Sequence, residues 1–347
     1  MGWLANHVRE QRHGNIVYYN VNRHINPTNV CVAHCKLCAF GRSPDAPGSY
    51  AMSLEEVYQR GAQGVAEGAT EFHIVGGLHP DLPFDYYLDL IRGLKQRFPQ
   101  VHLKAFTMVE VHYYARLSKL SIRDTLIKMK EAGVDSLPGG GAEVFHPRVR
   151  RIICDHKVSG TMWLSIARTA HELGMRSNAT MLFGHVETLE ERVDHLTRLR
   201  ETQDQTHGFQ TFIPLEFHPA NTGLAHVPKP TGMDALKTIA VSRLMLDNFD
   251  HIKAYWIMLT ERIAQIALGF GADDLDGTVV EENIYHDAGA TTPEGLTRAD
   301  LERLIRAAGR VPVERDTLYN RVDRSKMPPP APAAAPGTFI PASSLTA

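Results

Sequence analysis

The sequence predicts an α/β fold: a (β/α)8-type, TIM-like barrel, complete or incompletely closed, with a C-terminal helical extension. Three observations carry that expectation. Short apolar segments alternate with amphipathic helical ones along most of the 347 residues, the order that builds a parallel sheet with helices outside it. The alternation continues for about seven or eight units, which favours a barrel over an open doubly wound sheet. Three cysteines, a Gly-Gly pair and a Gly-Gly-Gly-Ala-Glu run each follow a strand, on the face where barrel enzymes keep their chemistry.

Residues 1–22 read as an N-terminal extension in which Ile16 to Tyr19 forms a small strand. The first barrel strand is expected from Arg23 to Val30 and leads into the cysteines. Ser53 followed by Glu56 is a capping-box signal, and Leu54, Val57, Tyr58, Ala62 and Val65 then recur at helical spacing. A strand from Glu71 ends at Gly76 and Gly77. Helix Tyr86 to Phe98 precedes strand Val101 to Thr107, and helix Ser121 to Ala132 precedes Val134 to Pro138. Helices are expected again from Ser159 to Leu173, Leu189 to Gln205 and Asp234 to Asn248. The strands Met175 to Met181, Gly208 to Leu215 and His251 to Met258 follow them in turn. A helix over Thr260 to Leu268 and a last strand near Gly277 to Val280 complete the barrel, and Thr297 to Ala308 forms the C-terminal helix. The domain is drawn at 23–320, with 321–347 as a Pro/Ala-rich tail whose lack of apolar periodicity predicts disorder.

Composition narrows the class of function. A net charge of −2 with no basic run argues against a nucleic-acid partner or an anionic membrane surface. No stretch is apolar for long enough to span a bilayer, and the N-terminus lacks a signal-peptide pattern, so the expectation is a cytoplasmic protein without membrane contact. Four cysteines, three of them crowded together, do not make a disulfide framework. Chemistry on a small molecule is what remains.

The crowded cysteines are Cys31, Cys35 and Cys38, spaced Cys-x3-Cys-x2-Cys. Three thiolates this close can hold three irons of a [4Fe-4S] cube, which ordinarily takes four cysteines. The fourth iron is then free to chelate a small molecule through an amine and a carboxylate. A structural zinc using His34 as fourth ligand is the competing reading, weakened because His34 and Cys35 are adjacent. Cys154 sits in an apolar run and reads as a buried thiol. Polar groups near strand ends supply further candidates: His73 and His79, Glu110, Asn178 and Thr180, His218 with Asn221, and Lys253. Glu110 has the chemistry of a general base. Donor and cationic groups suit a carboxylate-bearing substrate. For each of these an ordinary hydrogen bond within the fold is the alternative.

The cysteine spacing resembles that of the radical S-adenosylmethionine (SAM) enzymes. Asn26-Pro-Thr-Asn-Val-Cys31, Ile74-Val-Gly-Gly-Leu-His-Pro80, Pro138-Gly-Gly-Gly-Ala-Glu143, Phe217-His-Pro-Ala-Asn-Thr222 and Glu314-Arg-Asp-Thr-Leu-Tyr319 extend the likeness to the aminofutalosine synthase family. That resemblance implies a radical SAM barrel with a [4Fe-4S] cluster on Cys31, Cys35 and Cys38, and SAM as co-substrate. Gly76, Gly77, Glu143, Asn178 and Thr180 would hold SAM, and Phe40 would share adenine stacking because Leu37 stands where the superfamily usually has an aromatic residue. His73, Glu110 and His218 are the catalytic candidates, and His79, Asn221 and Lys253 the substrate-binding ones. The implied reaction adds a 5'-deoxyadenosyl radical to an aryl vinyl ether carboxylate on the futalosine route to menaquinone, with an electron donor such as flavodoxin or ferredoxin. Dehypoxanthine futalosine cyclase and the deazaflavin-chromophore synthase share several of these motifs and stand as alternatives, as does a non-catalytic metal-binding module.

Overall fold

The structure, a computed structural model, describes residues 1–326. Ten strands form two sheets: β1 (Ile16–Asn20), β2 (Asn22–Ile25), β3 (Glu71–Ile74), β4 (His102–Ala105), β5 (Ser136–Leu137), β6 (Arg176–Phe183), β7 (Phe209–Glu216), β8 (His251–Ile252), β9 (Asp274–Gly277) and β10 (Val311–Glu314). The main sheet runs β2 to β8 in sequence order, all parallel. It curls into an incompletely closed barrel of seven strands. Parallel bridges at Lys253–Asp274 and Arg23–Val280 carry the segment 274–280 across the gap between its edge strands. β9 also pairs with β1, in a small sheet ordered β10-β1-β9.

The helices form where caps and apolar faces dictate. Ser53 and Glu56 make the expected capping box at the start of helix Leu54–Ala66. Val57 faces inward from it, against the barrel wall. β7 is buried at every position, as a strand covered on both faces must be.

Several expectations are corrected. Strand Arg23 to Val30 ends at Ile25, because Asn26 and Asn29 use their side-chain amides to donate to the Val75 and Gly48 carbonyls and shape a loop instead. Strand His251 to Met258 is two residues long, and Trp256–Leu259 is a helical turn. Helices Gly2–His13, Met108–Ser118 and Pro147–Ile153 and the short Ile284–Asp287 turn were not expected from the sequence. The first is held by polar contacts, with Arg9 donating to the Gly14 carbonyl at 2.7 Å and Arg12 to that of Phe249 at 3.0 Å. The segment 1–22 is therefore fastened to the barrel. The tail expected over 321–347 begins too early, since Arg321 bridges to Arg315 and Arg324 pairs with Glu314. From Met327 onward it lies outside the described residues.

Charged side chains fill the barrel's lower interior. Lys104 Nζ meets Glu71 Oε2 at 2.7 Å, Arg315 Nε meets Asp274 Oδ2 at 2.6 Å, and Lys253 Nζ meets Asp276 Oδ1 at 3.1 Å. The stretch Glu314 to Tyr319 enters this floor, where Thr317 donates its hydroxyl to Glu71. Above it lies an open cavity.

Candidate active site

The cavity, about 270 Å³, sits at the C-terminal ends of the barrel strands. Cys31, Cys35 and Cys38 line one wall on the loop that follows β2. Backbone bonds set this loop: the Cys31 N–H donates to Arg42, that of Val32 to Leu78, and that of Lys36 to Ile153. His34 takes a left-handed φ of 43° and is exposed.

Gly77 locks the loop from the other side. A β-carbon there would lie 2.1 Å from the Val30 carbonyl oxygen, so only glycine fits. Its N–H donates to Thr28 at 2.8 Å, while Gly76 lines the cavity beside it.

The donor set fits a cube better than a single zinc ion. Tetrahedral zinc with Zn–S bonds of about 2.3 Å draws its ligand atoms to within about 4 Å of one another. Among the described residues, the one trio of potential metal ligands within 4.8 Å is His13, His251 and Asp273. The three thiols face a common space at wider separation. All are free. Burial pushes the Cys35 thiol up to about 12 and raises that of Cys38 as well, while Lys157 opposes both, so iron must displace protons to bind.

Across the cavity, Glu143 holds a left-handed φ of 48° at the end of the glycine run. Burial acts to raise its carboxyl, but Lys157 at 2.8 Å, with Arg150 behind, outweighs burial and holds it below its ordinary range. Asn178 and Thr180 project from β6 into the same space. The Thr180 hydroxyl donates to the Gly139 carbonyl at 2.6 Å. Phe40, buried, completes the wall near the cysteines.

His73 and His218 also line the cavity. His218 Nε2 lies 2.9 Å from the Met258 carbonyl, which fixes the ring. Glu110 reaches the cavity with both oxygens engaged. Oε1 accepts from the Gly76 N–H at 3.0 Å, and Oε2 accepts from the Thr107 N–H at 2.7 Å in a capping box. Both carboxylate oxygens are thus occupied within the fold, and Oε1 holds the Gly76 backbone.

Burial raises the Glu110 carboxyl to about 7, against opposing hydrogen bonds from Thr107 and Gly76. A raised carboxyl contributes stability that is complete below the unfolded value of 4.5 and lost as pH rises through about 7. Relative to Glu110→Gln, the wild type is expected to lose about 3 kcal/mol between pH 4.5 and 8, at about 1.4 kcal/mol per unit. Urea unfolding of both proteins across that range measures the difference.

Three expected substrate ligands lie outside the cavity lining. His79 Nδ1 accepts from the backbone N–H groups of Asp81 and Leu82, so it closes a turn. Asn221 is exposed and donates to the Asp287 carbonyl. Lys253 is part of the floor, in its pair with Asp276. In their place the structure brings in His24, Lys157, Tyr255, Asp276, Glu282 and Tyr285. The last three belong to a segment with no regular period.

A curled parallel sheet whose first strand feeds three cavity-facing thiols, opposite a buried carboxylate and a glycine wall, defines an iron–sulfur barrel enzyme. The sequence profile of the Radical SAM superfamily matches residues 25–199, and that of the CofH/MqnC C-terminal region matches 206–327. Aminodeoxyfutalosine synthase of Thermus thermophilus is 50% identical, over 92% of this chain and 87% of the relative. That of Streptomyces coelicolor is 46% identical over 97% and 90%. A 5-amino-6-(D-ribitylamino)uracil–L-tyrosine 4-hydroxyphenyl transferase of Methanopyrus kandleri is 42% identical over 89% and 85%. Among solved structures, methylornithine synthase shares the fold at a TM-score of 0.70 and 17% identity, covering 89% of this chain and 87% of that one. The chain belongs to the radical SAM superfamily and, within it, to the aminodeoxyfutalosine synthase family. It is an enzyme of the class that uses a [4Fe-4S] cluster and SAM. No helix among the described residues is long and apolar enough to cross a membrane.

Proposed function

We propose that this enzyme transfers the 5'-deoxyadenosyl group of SAM to 3-[(1-carboxyvinyl)oxy]benzoate, with rearrangement and loss of a carboxylate, to give 6-amino-6-deoxyfutalosine for menaquinone biosynthesis. The observation that carries this reading is 50% identity with an aminodeoxyfutalosine synthase over 92% of this chain.

In this reading Cys31, Cys35 and Cys38 would hold the cluster and leave one iron without a protein ligand, open to SAM. A [4Fe-4S] cluster bound there would supply one-electron reduction of the sulfonium, its electron coming from an external donor of the flavodoxin or ferredoxin kind. Gly76 offers backbone to the methionyl amine with no side chain in the way, and Glu110 holds that backbone in place. The Glu143 carboxylate, kept ionised by Lys157, and Asn178 suit the ribose hydroxyls. Thr180 supports Gly139, and Phe40 covers the adenine. Apolar lining from Leu182, Ile213, Leu215 and Phe217 limits water around a radical that must add to the vinyl carbon rather than abstract hydrogen elsewhere. His73 and His218 face the substrate's portion of the cavity. The reaction belongs in the cytoplasm, where free thiols persist.

Product analysis tests the reading. Under reducing, oxygen-free conditions, the reconstituted enzyme is expected to release methionine in step with a product that retains adenine, and almost no free 5'-deoxyadenosine. Stoichiometric 5'-deoxyadenosine would instead assign the chain to hydrogen-abstracting chemistry of the cyclase type.

A further inference from the structure

β2 and β3 run in register with His24 opposite His73, and their side chains enter the barrel at the same level. The rings stack at 4.5 Å between centroids and 14° between planes. Both line the cavity, and His24 is 7% exposed. No side-chain hydrogen bond reaches either ring among the described residues. Buried imidazoles without partners are costly, so a pair aimed into a cavity asks for a ligand.

The charges around the pair are already matched. Lys104, level with His73 on β4, is held by Glu71 below it, and Lys253 by Asp276. Glu282 accepts from the N–H groups of Ile284 and Tyr285, each at 2.9 Å. The two imidazoles face the cavity with no hydrogen-bond partner of their own among the described residues. Depth gives the ligand's orientation. His73 precedes Gly76 by three residues, and at about 3.3 Å per residue it lies roughly 10 Å below the glycine that flanks the cysteine loop. That distance matches the span of a meta-substituted benzoate whose vinyl carbon sits under the cluster.

Resting on the substrate assignment above, we propose that His24 and His73 together form the anion-binding end of the substrate site, each donating one N–H to the ring-borne carboxylate of the aryl vinyl ether. Burial lowers both imidazoles below their ordinary range, the effect of nearby Glu71, Asp276 and Glu282 on His24 notwithstanding. Each ring is therefore neutral in the free enzyme, with one N–H to give.

The test uses the cluster-loaded, SAM-bound enzyme. His24→Phe and His73→Phe keep a stacked ring and remove the donor. Each is expected to raise the KM for the aryl vinyl ether by about 10- to 100-fold, the loss for one hydrogen bond to a charged group. The KM for SAM should stay within about twofold, and His24→Gln, which retains a donor, should recover part of the loss. In the unmutated enzyme, benzoate should bind more tightly than benzamide by about tenfold or more in calorimetry, a measurement free of any folding defect. An unchanged KM in both Phe variants, or equal binding of benzoate and benzamide, overturns the proposal. An enzyme that forms no adenosylated product removes the substrate assignment instead, and a benzoate preference lost in His24→Phe would then still support the two donors.

Discussion

Replacing Cys35 by Ala is expected to abolish turnover, by a factor on the order of a thousand or more, while leaving the barrel folded. The side chain is half-buried on a loop whose shape comes from backbone hydrogen bonds to Arg42, Leu78 and Ile153, none of which involves the sulfur. The loss falls on the group that supplies the hard chemistry and not on the scaffold around it. Iron content and visible absorption of the reconstituted variant should drop together with methionine release, and circular dichroism should be unchanged. Cys154→Ala is the matched control. Cys154 is likewise a free thiol but lies outside the cavity lining, 1% exposed in the apolar core, so its removal should leave iron and activity near wild type. Full activity in Cys35→Ala would overturn the cluster assignment and every step built on it.

What could be read beforehand follows from locality. The cysteine spacing, the glycine run and the Ser53–Glu56 box are determined within a few residues, and each sits where the sequence implied. The Thr107–Glu110 box carries the same signature, and reading it would have found helix Met108–Ser118 and the backbone contacts that occupy Glu110. Helix Gly2–His13 was hidden because arginine-to-carbonyl contacts, not an apolar stripe, fasten it. The substrate end of the cavity was harder. His24, Tyr255 and Glu282 meet only after the barrel curls, and nothing within their own segments announces that they meet. His79 shows the opposite error: a strand-end position was right, but two backbone N–H groups had already claimed its ring nitrogen.

Lys104→Met is expected to destabilise the fold by about 3–5 kcal/mol, the cost of leaving one member of a buried ion pair alone. Lys104 is 3% exposed and Glu71 1%, with 2.7 Å between Nζ and Oε2. Burial acts to raise the Glu71 carboxyl, yet Lys104, then Lys253 and Arg315, hold it well below its ordinary range. A depressed carboxyl contributes stability that is present above the unfolded value of 4.5 and lost as pH falls. Removing its largest opposing charge should therefore also move acid unfolding to higher pH. Lys253, Arg315 and the Thr317 hydroxyl remain to share the charge, which sets the effect toward the lower end of the range. The double variant Lys104→Met, Glu71→Gln removes both charges and should be more stable than Lys104→Met alone, because an uncharged amide beside a methionine leaves no isolated ion behind. Urea unfolding of the three proteins at neutral and acid pH separates the cases. If Lys104→Met unfolds with the wild type at every pH, the floor does not depend on this pair, and the C-terminal stretch through Thr317 must secure Glu71 by itself.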